Sequence, residues 1–168
     1  MPRTALIVAV PEAEPLVQEW RLRWDNASLG IPAHITLIFP FVPVEGIGEE
    51  LMGGLRELFA AQPSFAFSLA RVARFPEHAW LAPEPNEPFR RLTALLAERY
   101  PEHPPYEGIH DEVIPHLTVV EGDMALQDKV DAALTPHLPI AAEVREVTLL
   151  LEDESGHWRP GEVFPLGA

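Results

Sequence analysis

Short apolar runs alternate along this chain with stretches whose apolar residues recur every three or four positions, the pattern of strands exchanged with amphipathic helices. "TALIVAV", Thr4 to Val10, reads as a buried strand, and "EAEPLVQEWRLRWD", Glu12 to Asp25, as a helix with Leu16, Trp20 and Trp24 on one face. A loop with Asn26, Ser28 and Gly30 leads to a strand from His34 to Phe39. A helix is expected over "GEELMGGLRELFAAQ", where Leu51, Leu55, Leu58 and Phe59 align, although Gly53 and Gly54 weaken it. "SFAFSLARVARF" and "HAWLAP" read as a hairpin turning at Pro76 and Glu77. Pro88 opens a helix over Glu87 to Tyr100. The Pro-rich "PEHPPYEGIHDEVIP" then delivers the chain to a strand from His116 to Glu121. A helix from Leu126 to Leu138, one long strand "AEVREVTLLLE" and a last strand around "WRPGEVFPL" complete the order.

That order contains an echo. Strand, helix, Pro, His-bearing strand, helix and strand pair occur once in each half, and "IPAHITL" at Ile31 is matched by "IPHLTVV" at Ile114 with one residue fewer before the second Thr. A pair of pseudo-symmetric lobes explains the repetition. Mixed hairpins and crossovers predict an α+β fold, with two largely antiparallel sheets and helices outside.

Composition narrows the choice. A chain of 168 residues suits a single domain of two lobes spanning 1–168. With no Cys, disulfides, thiolate nucleophiles and Cys-based zinc sites are excluded. "ALIVAV" is short for a secretory leader and no apolar run approaches a bilayer's width, so a cytoplasmic protein without a membrane partner is expected. The formal charge of −14 repels duplex DNA or extended RNA, while a small nucleotide or short RNA end needs only a few local donors.

Alternation along a strand sets His34 and Thr36 on one face against Ile35 and Leu37, and His116 and Thr118 on one face against Leu117 and Val119. A lone His-x-Thr on a strand is a common packing arrangement, but two in matching context point to shared chemistry. A phosphodiester broken in line needs a base on the attacking side and an acid on the leaving side. Imidazole serves both roles, because its reference pKa of about 6.5 lets both protonation states coexist near neutrality. Hydroxyls beside it can donate to the phosphoryl oxygens.

These paired motifs resemble the two-histidine (2H) phosphoesterase superfamily, also called the 2′-5′ RNA ligase family. "HIT" at His34 and "HLT" at His116 match its motif in each lobe, and "GHWRPGEVFPLG" is similar to its last hairpin. The resemblance implies a bilobal fold with a central groove and an enzyme needing neither metal nor ATP nor other cofactor. It would act as a phosphodiesterase on 2′,3′-cyclic phosphates, 2′-5′ linkages or related nucleotides, with slow reverse ligation. It makes His34 and His116 the catalytic acid/base pair and Thr36 and Thr118 the phosphate binders.

Many bacterial members carry Arg five residues after the second His, where this chain has Glu121. Arg71 and Arg74 are the candidate substitutes, with Arg3 and Arg159 behind them. Trp80, Phe41 and Tyr106 are candidates for stacking on a base. Glu121 keeps open a second reading, a non-catalytic module that binds a nucleotide or RNA end on the same fold. A third, metal ligation by His110, Asp111, Glu112 and His116, lacks the helical spacing such sites use, and no metal is expected. One of those carboxylates could instead orient a catalytic imidazole. His78, His103, His137 and His157 read as surface residues, and a monomer is expected.

Overall fold

The structure, a computed structural model, describes residues 2–108 and 113–167. Its strands and helices follow in the order β1 (Thr4–Ala9), α1 (Glu14–Trp24), β2 (His34–Ile38), α2 (Glu49–Ala60), β3 (Phe65–Phe75), β4 (His78–Glu84), α3 (Glu87–Arg99), β5 (Leu117–Glu121), α4 (Met124–Leu134), β6 (Ile140–Val144), β7 (Glu146–Glu152) and β8 (Trp158–Pro165). Helix starts follow local chemistry. Proline stands in the first turn of α1 and α3, where its missing N–H costs no hydrogen bond. Asp123 caps α4 by accepting from the Leu126 N–H at 2.9 Å. Helix α2 forms in spite of Gly53 and Gly54, because Leu55 and Phe59 are fully buried and their burial outweighs the propensity cost.

Two four-stranded antiparallel sheets result, ordered β2-β1-β7-β8 and β5-β4-β3-β6. The α+β architecture with two sheets and outer helices is as the sequence predicts. Both His-x-Thr segments run along the corresponding edge strands, β2 in one sheet and β5 in the other, and these edges touch. The expected long strand "AEVREVTLLLE" is two strands: β6 ends at Val144 in one sheet and β7 starts at Glu146 in the other. Arg145 carries the chain between them, and its exposed side chain pairs with Glu143 at 2.8 Å.

The main core is continuous through both lobes. It takes Leu6, Val8, Ile35 and Leu37 from the first sheet and Leu69, Leu81, Leu117 and Val119 from the second, with the helices over them. The helices are exchanged across the lobes. Helix α1, which connects β1 to β2, packs on β5, and α3, which connects β4 to β5, packs on β2. A buried hydrogen bond from the Thr93 hydroxyl on α3 to the Leu37 carbonyl on β2, 2.7 Å long, ties the second crossing. No helix among the described residues is long and apolar enough to cross a membrane.

Candidate active site

Strand alternation decides which side chains leave the core. On β2, Ile35 and Leu37 are fully buried while His34 and Thr36 are half-buried, and β5 repeats this with Leu117 and Val119 against Thr118, just after the half-buried His116. His34 and Thr36 line a bay of about 310 Å³ together with Arg3, Asn26, Phe39 and Trp158. His116 and Thr118 line a second bay of about 500 Å³ with Phe75, His78, Tyr106 and Ile114. The two histidines stand close enough that a charge on His116 bears on the protonation of His34.

Each ring is held the same way. His34 Nδ1 lies 2.8 Å from the Pro32 carbonyl, and His116 Nδ1 lies 2.7 Å from the Ile114 carbonyl, in both cases two residues back along the chain. A carbonyl only accepts, so Nδ1 carries the proton in both rings and Nε2 is the nitrogen available to a substrate. The neighbouring proline stiffens the chain at each carbonyl. In "IPAH" the acceptor is the proline's own carbonyl, and in "IPH" it belongs to the residue before proline, which proline confines to extended backbone.

Burial holds His34 down to about 4, helped by the positive Arg21 and by His116, against the hydrogen bond to Pro32 that raises it. His116 is lowered too, first by burial and also by His78. Both imidazoles therefore rest neutral near pH 7. Negative charge brought beside either ring would oppose this depression, because it favours the protonated imidazole.

Aromatic packing steadies His116. Its ring stands edge-on to Phe75 at 5.2 Å and to Trp80 at 5.8 Å. Trp80, in register with Thr118, is 7% exposed, so it supports the histidine from within the sheet and offers no open face for a base. Tyr106 lies in the second bay. It and Glu107 adopt left-handed backbone angles, φ 50° and 57°, uncommon without glycine, and its N–H donates to the Phe39 carbonyl at 2.7 Å.

Other expected residues stand elsewhere. Phe41 is 3% exposed and packs edge-on against Tyr100 at 5.4 Å, so it belongs to the core. Arg74 shares a face of β3 with Val72, opposite Phe75, and is bound by Asp128 and Asp131 of α4 at 2.7 and 3.2 Å. It is turned away from the bays. Arg71 shares the face of Phe75, is exposed, and among the described residues pairs with Glu84 at 4.0 Å. Arg3 lies at the first bay, gripped by Glu152 at 2.8 and 3.0 Å and set over Phe39 and Trp158 at 5.1 and 5.8 Å. Arg159 is exposed on β8, on the opposite face from the buried Trp158. His78, expected at the surface, lines the second bay, a placement that its position at the hairpin turn hid.

Among the described residues no group of three or more His, Asp or Glu side chains is arranged to hold a metal ion. His110, Asp111 and Glu112 lie outside the described residues.

Comparison with known proteins agrees with this architecture. The family model described as the 2′-5′ RNA ligase superfamily matches residues 9–156. A putative phosphoesterase of Bacillus pumilus (strain SAFR-032) is 28% identical over 163 residues, covering 92% of this chain and 91% of the relative. E. coli LigT complexed with 3′-AMP superimposes with a TM-score of 0.66 at 18% identity, covering 100% of both chains. LigT has also been solved with NADP+ and with ATP. A protein of Thermus thermophilus gives 0.65 at 17% identity, covering 98% of this chain and 97% of its own. At these identities the solved structures speak for the fold.

Proposed function

This chain belongs to the 2′-5′ RNA ligase superfamily, and from that premise we propose that it is a metal- and ATP-independent phosphodiesterase of small nucleotides or short RNA ends, opening 2′,3′-cyclic phosphates or 2′-5′ linkages. The observation that carries this reading is the matched pair of imidazoles on touching edge strands, each with Nδ1 pinned to a carbonyl two residues back. Pinning fixes the tautomer and leaves Nε2 of each ring for proton transfer. One histidine takes a proton from water as it attacks phosphorus, and the other, protonated once the anion is bound, gives a proton to the departing ribose oxygen. Thr36 and Thr118 donate to the phosphoryl oxygens as charge moves onto them. With a 5′-hydroxyl attacking in place of water, the P–O3′ bond breaks, the 3′-oxygen takes the proton from the second histidine, and a 2′-5′ linkage is left.

Arg71 is the cation that steadies the substrate in this reading. Its loose contact with Glu84 leaves it able to turn toward a phosphate. The choice of a small nucleotide is supported by the charge of −14 and by LigT having been solved with 3′-AMP. Glu121 of β5, in register with His78 of β4, brings no cation to the second bay, which keeps the alternative of a binding module on the same fold.

The test is turnover of 2′,3′-cyclic mononucleotides and 2′-5′ dinucleotides, followed by phosphorus NMR with chelator present. His34→Ala and His116→Ala should each lower kcat by about 10²- to 10⁴-fold with the far-UV circular dichroism retained. Wild-type-like turnover by either variant contradicts the acid/base assignment, and loss of wild-type activity with chelator contradicts the metal-independent reaction. Nucleotide binding with no product from the wild type selects the binding module.

A further inference from the structure

Helix α1 carries an arginine where its amphipathic pattern offers no reason for one to be buried. Arg21 is 1% exposed, and three of its guanidinium nitrogens are spent on the segment that follows the helix. Nε donates to Asp25 at 3.1 Å, Nη1 to the Ile31 carbonyl at 3.0 Å and Nη2 to the Asn26 side-chain oxygen at 2.6 Å. A buried guanidinium is tolerated only when its donors are satisfied, so this network holds the 25–31 segment in one arrangement.

The network also decides which way Asn26 faces. Guanidinium nitrogens only donate, so the atom bonded to Arg21 must be Oδ1 and the amide NH2 is the other end. Among the described residues, no protein acceptor takes those two protons. Asn26 lines the first bay beside His34 and Thr36. The floor of that bay is an apolar cluster separate from the main core, formed by Ala5, Ile7, Ile31, Leu150 and Trp158 with Phe39 against it. Phe39 and Trp158 meet edge-on at 6.0 Å. An apolar, aromatic-walled space that offers an uncommitted amide donor at Asn26, beside Arg3 and the His34–Thr36 pair, suits a flat heterocycle that carries an acceptor on its edge.

We propose that Asn26 is a specificity-determining residue: its NH2, held toward the His34 bay by the buried Arg21, donates to a ring carbonyl or ring nitrogen of the nucleobase attached to the reacting phosphate. This rests on the phosphodiesterase reading and adds to it the base subsite on the His34 side. A base without an acceptor at that edge forgoes the amide's hydrogen bond, and sites built to hydrogen-bond a substrate group discriminate against analogues lacking it.

Asn26→Asp tests it. The aspartate still accepts from Arg21 but turns an acceptor, not a donor, toward the ring. Two substrates are compared, uridine 2′,3′-cyclic phosphate and the base-free methyl riboside 2′,3′-cyclic phosphate. The ratio of kcat/KM values for the two should fall by about tenfold or more in the variant. An unchanged ratio overturns the proposal. Calorimetry of uridine 2′-phosphate binding reads the same subsite without turnover. If the wild type cleaves neither substrate yet binds this ligand, and Asn26→Asp weakens that binding by about tenfold, the subsite stands and the phosphodiesterase reading falls. Equal binding by both proteins overturns the subsite.

Discussion

Replacing His34 by Asn should make the protein less sensitive to acid, and the size of the effect follows from the site. The amide of Asn can still donate to the Pro32 carbonyl but cannot titrate. In the native protein the imidazole is held down to about 4 by burial, while in the unfolded chain it returns to 6.5. The unfolded state therefore takes up the proton first as pH falls. His34's contribution to stability is complete above about pH 6.5, declines between 6.5 and 4, and is fully lost only below the native value. At about 1.4 kcal/mol per pH unit the whole gap is worth about 3 kcal/mol. Because the ring is partly open to the bay, water shields the charge, and we take about 2 kcal/mol as the share lost by pH 4.5. Urea unfolding followed by tryptophan fluorescence at pH 7.5 and 4.5 measures it. The wild type should lose about 2 kcal/mol more than His34→Asn between those two conditions, with the remaining acid sensitivity of the carboxylates common to both. Parallel losses in the two proteins would mean that His34 is not desolvated as described, and the account of a neutral resting pair would fail with it.

Other substitutions separate the bays from the scaffold. Arg71→Ala should raise KM for a nucleotide by about tenfold with little change in kcat, as loss of uniform binding does, whereas Arg74→Ala should leave both unchanged; steady-state kinetics on the pair would expose a reversed assignment. Phe41→Ala should cost about 3–5 kcal/mol in urea unfolding, and a preserved KM would agree with its place in the core. Thr93→Val removes the donor to the Leu37 carbonyl and should cost about 1–3 kcal/mol by the same assay, with no change if that carbonyl is satisfied elsewhere.

The placement of the candidate histidines and threonines was legible because strand alternation is a local rule. Once β2 and β5 were read as strands, His34 and Thr36 had to share a face, and so did His116 and Thr118. Arg71 and Arg74 show where locality ends. Three residues apart in an extended strand, they point to opposite faces, and the sequence carried nothing that said which face α4 would cover. Phe41 follows the strand directly, but its destination depends on Tyr100, a residue far along the chain. The break at Arg145 was hidden because β6 and β7 carry one continuous strand-like pattern, and only the two sheets' separate pairings divide it. Arg21 was the least legible. A charged residue on an amphipathic helix reads as solvated, and its burial depends on acceptors supplied by Asp25, Asn26 and Ile31 after the helix has ended.

The exchange of α1 and α3 means that neither half of the chain owns its histidine's support. Each edge strand rests on a helix contributed by the opposite lobe. A cut between the halves would also part β1 from β7 and β4 from β5, so the fragments should recover structure only when mixed. Such cross-bracing also makes the spacing between the imidazoles a property of the assembled whole, resistant to either lobe rocking alone.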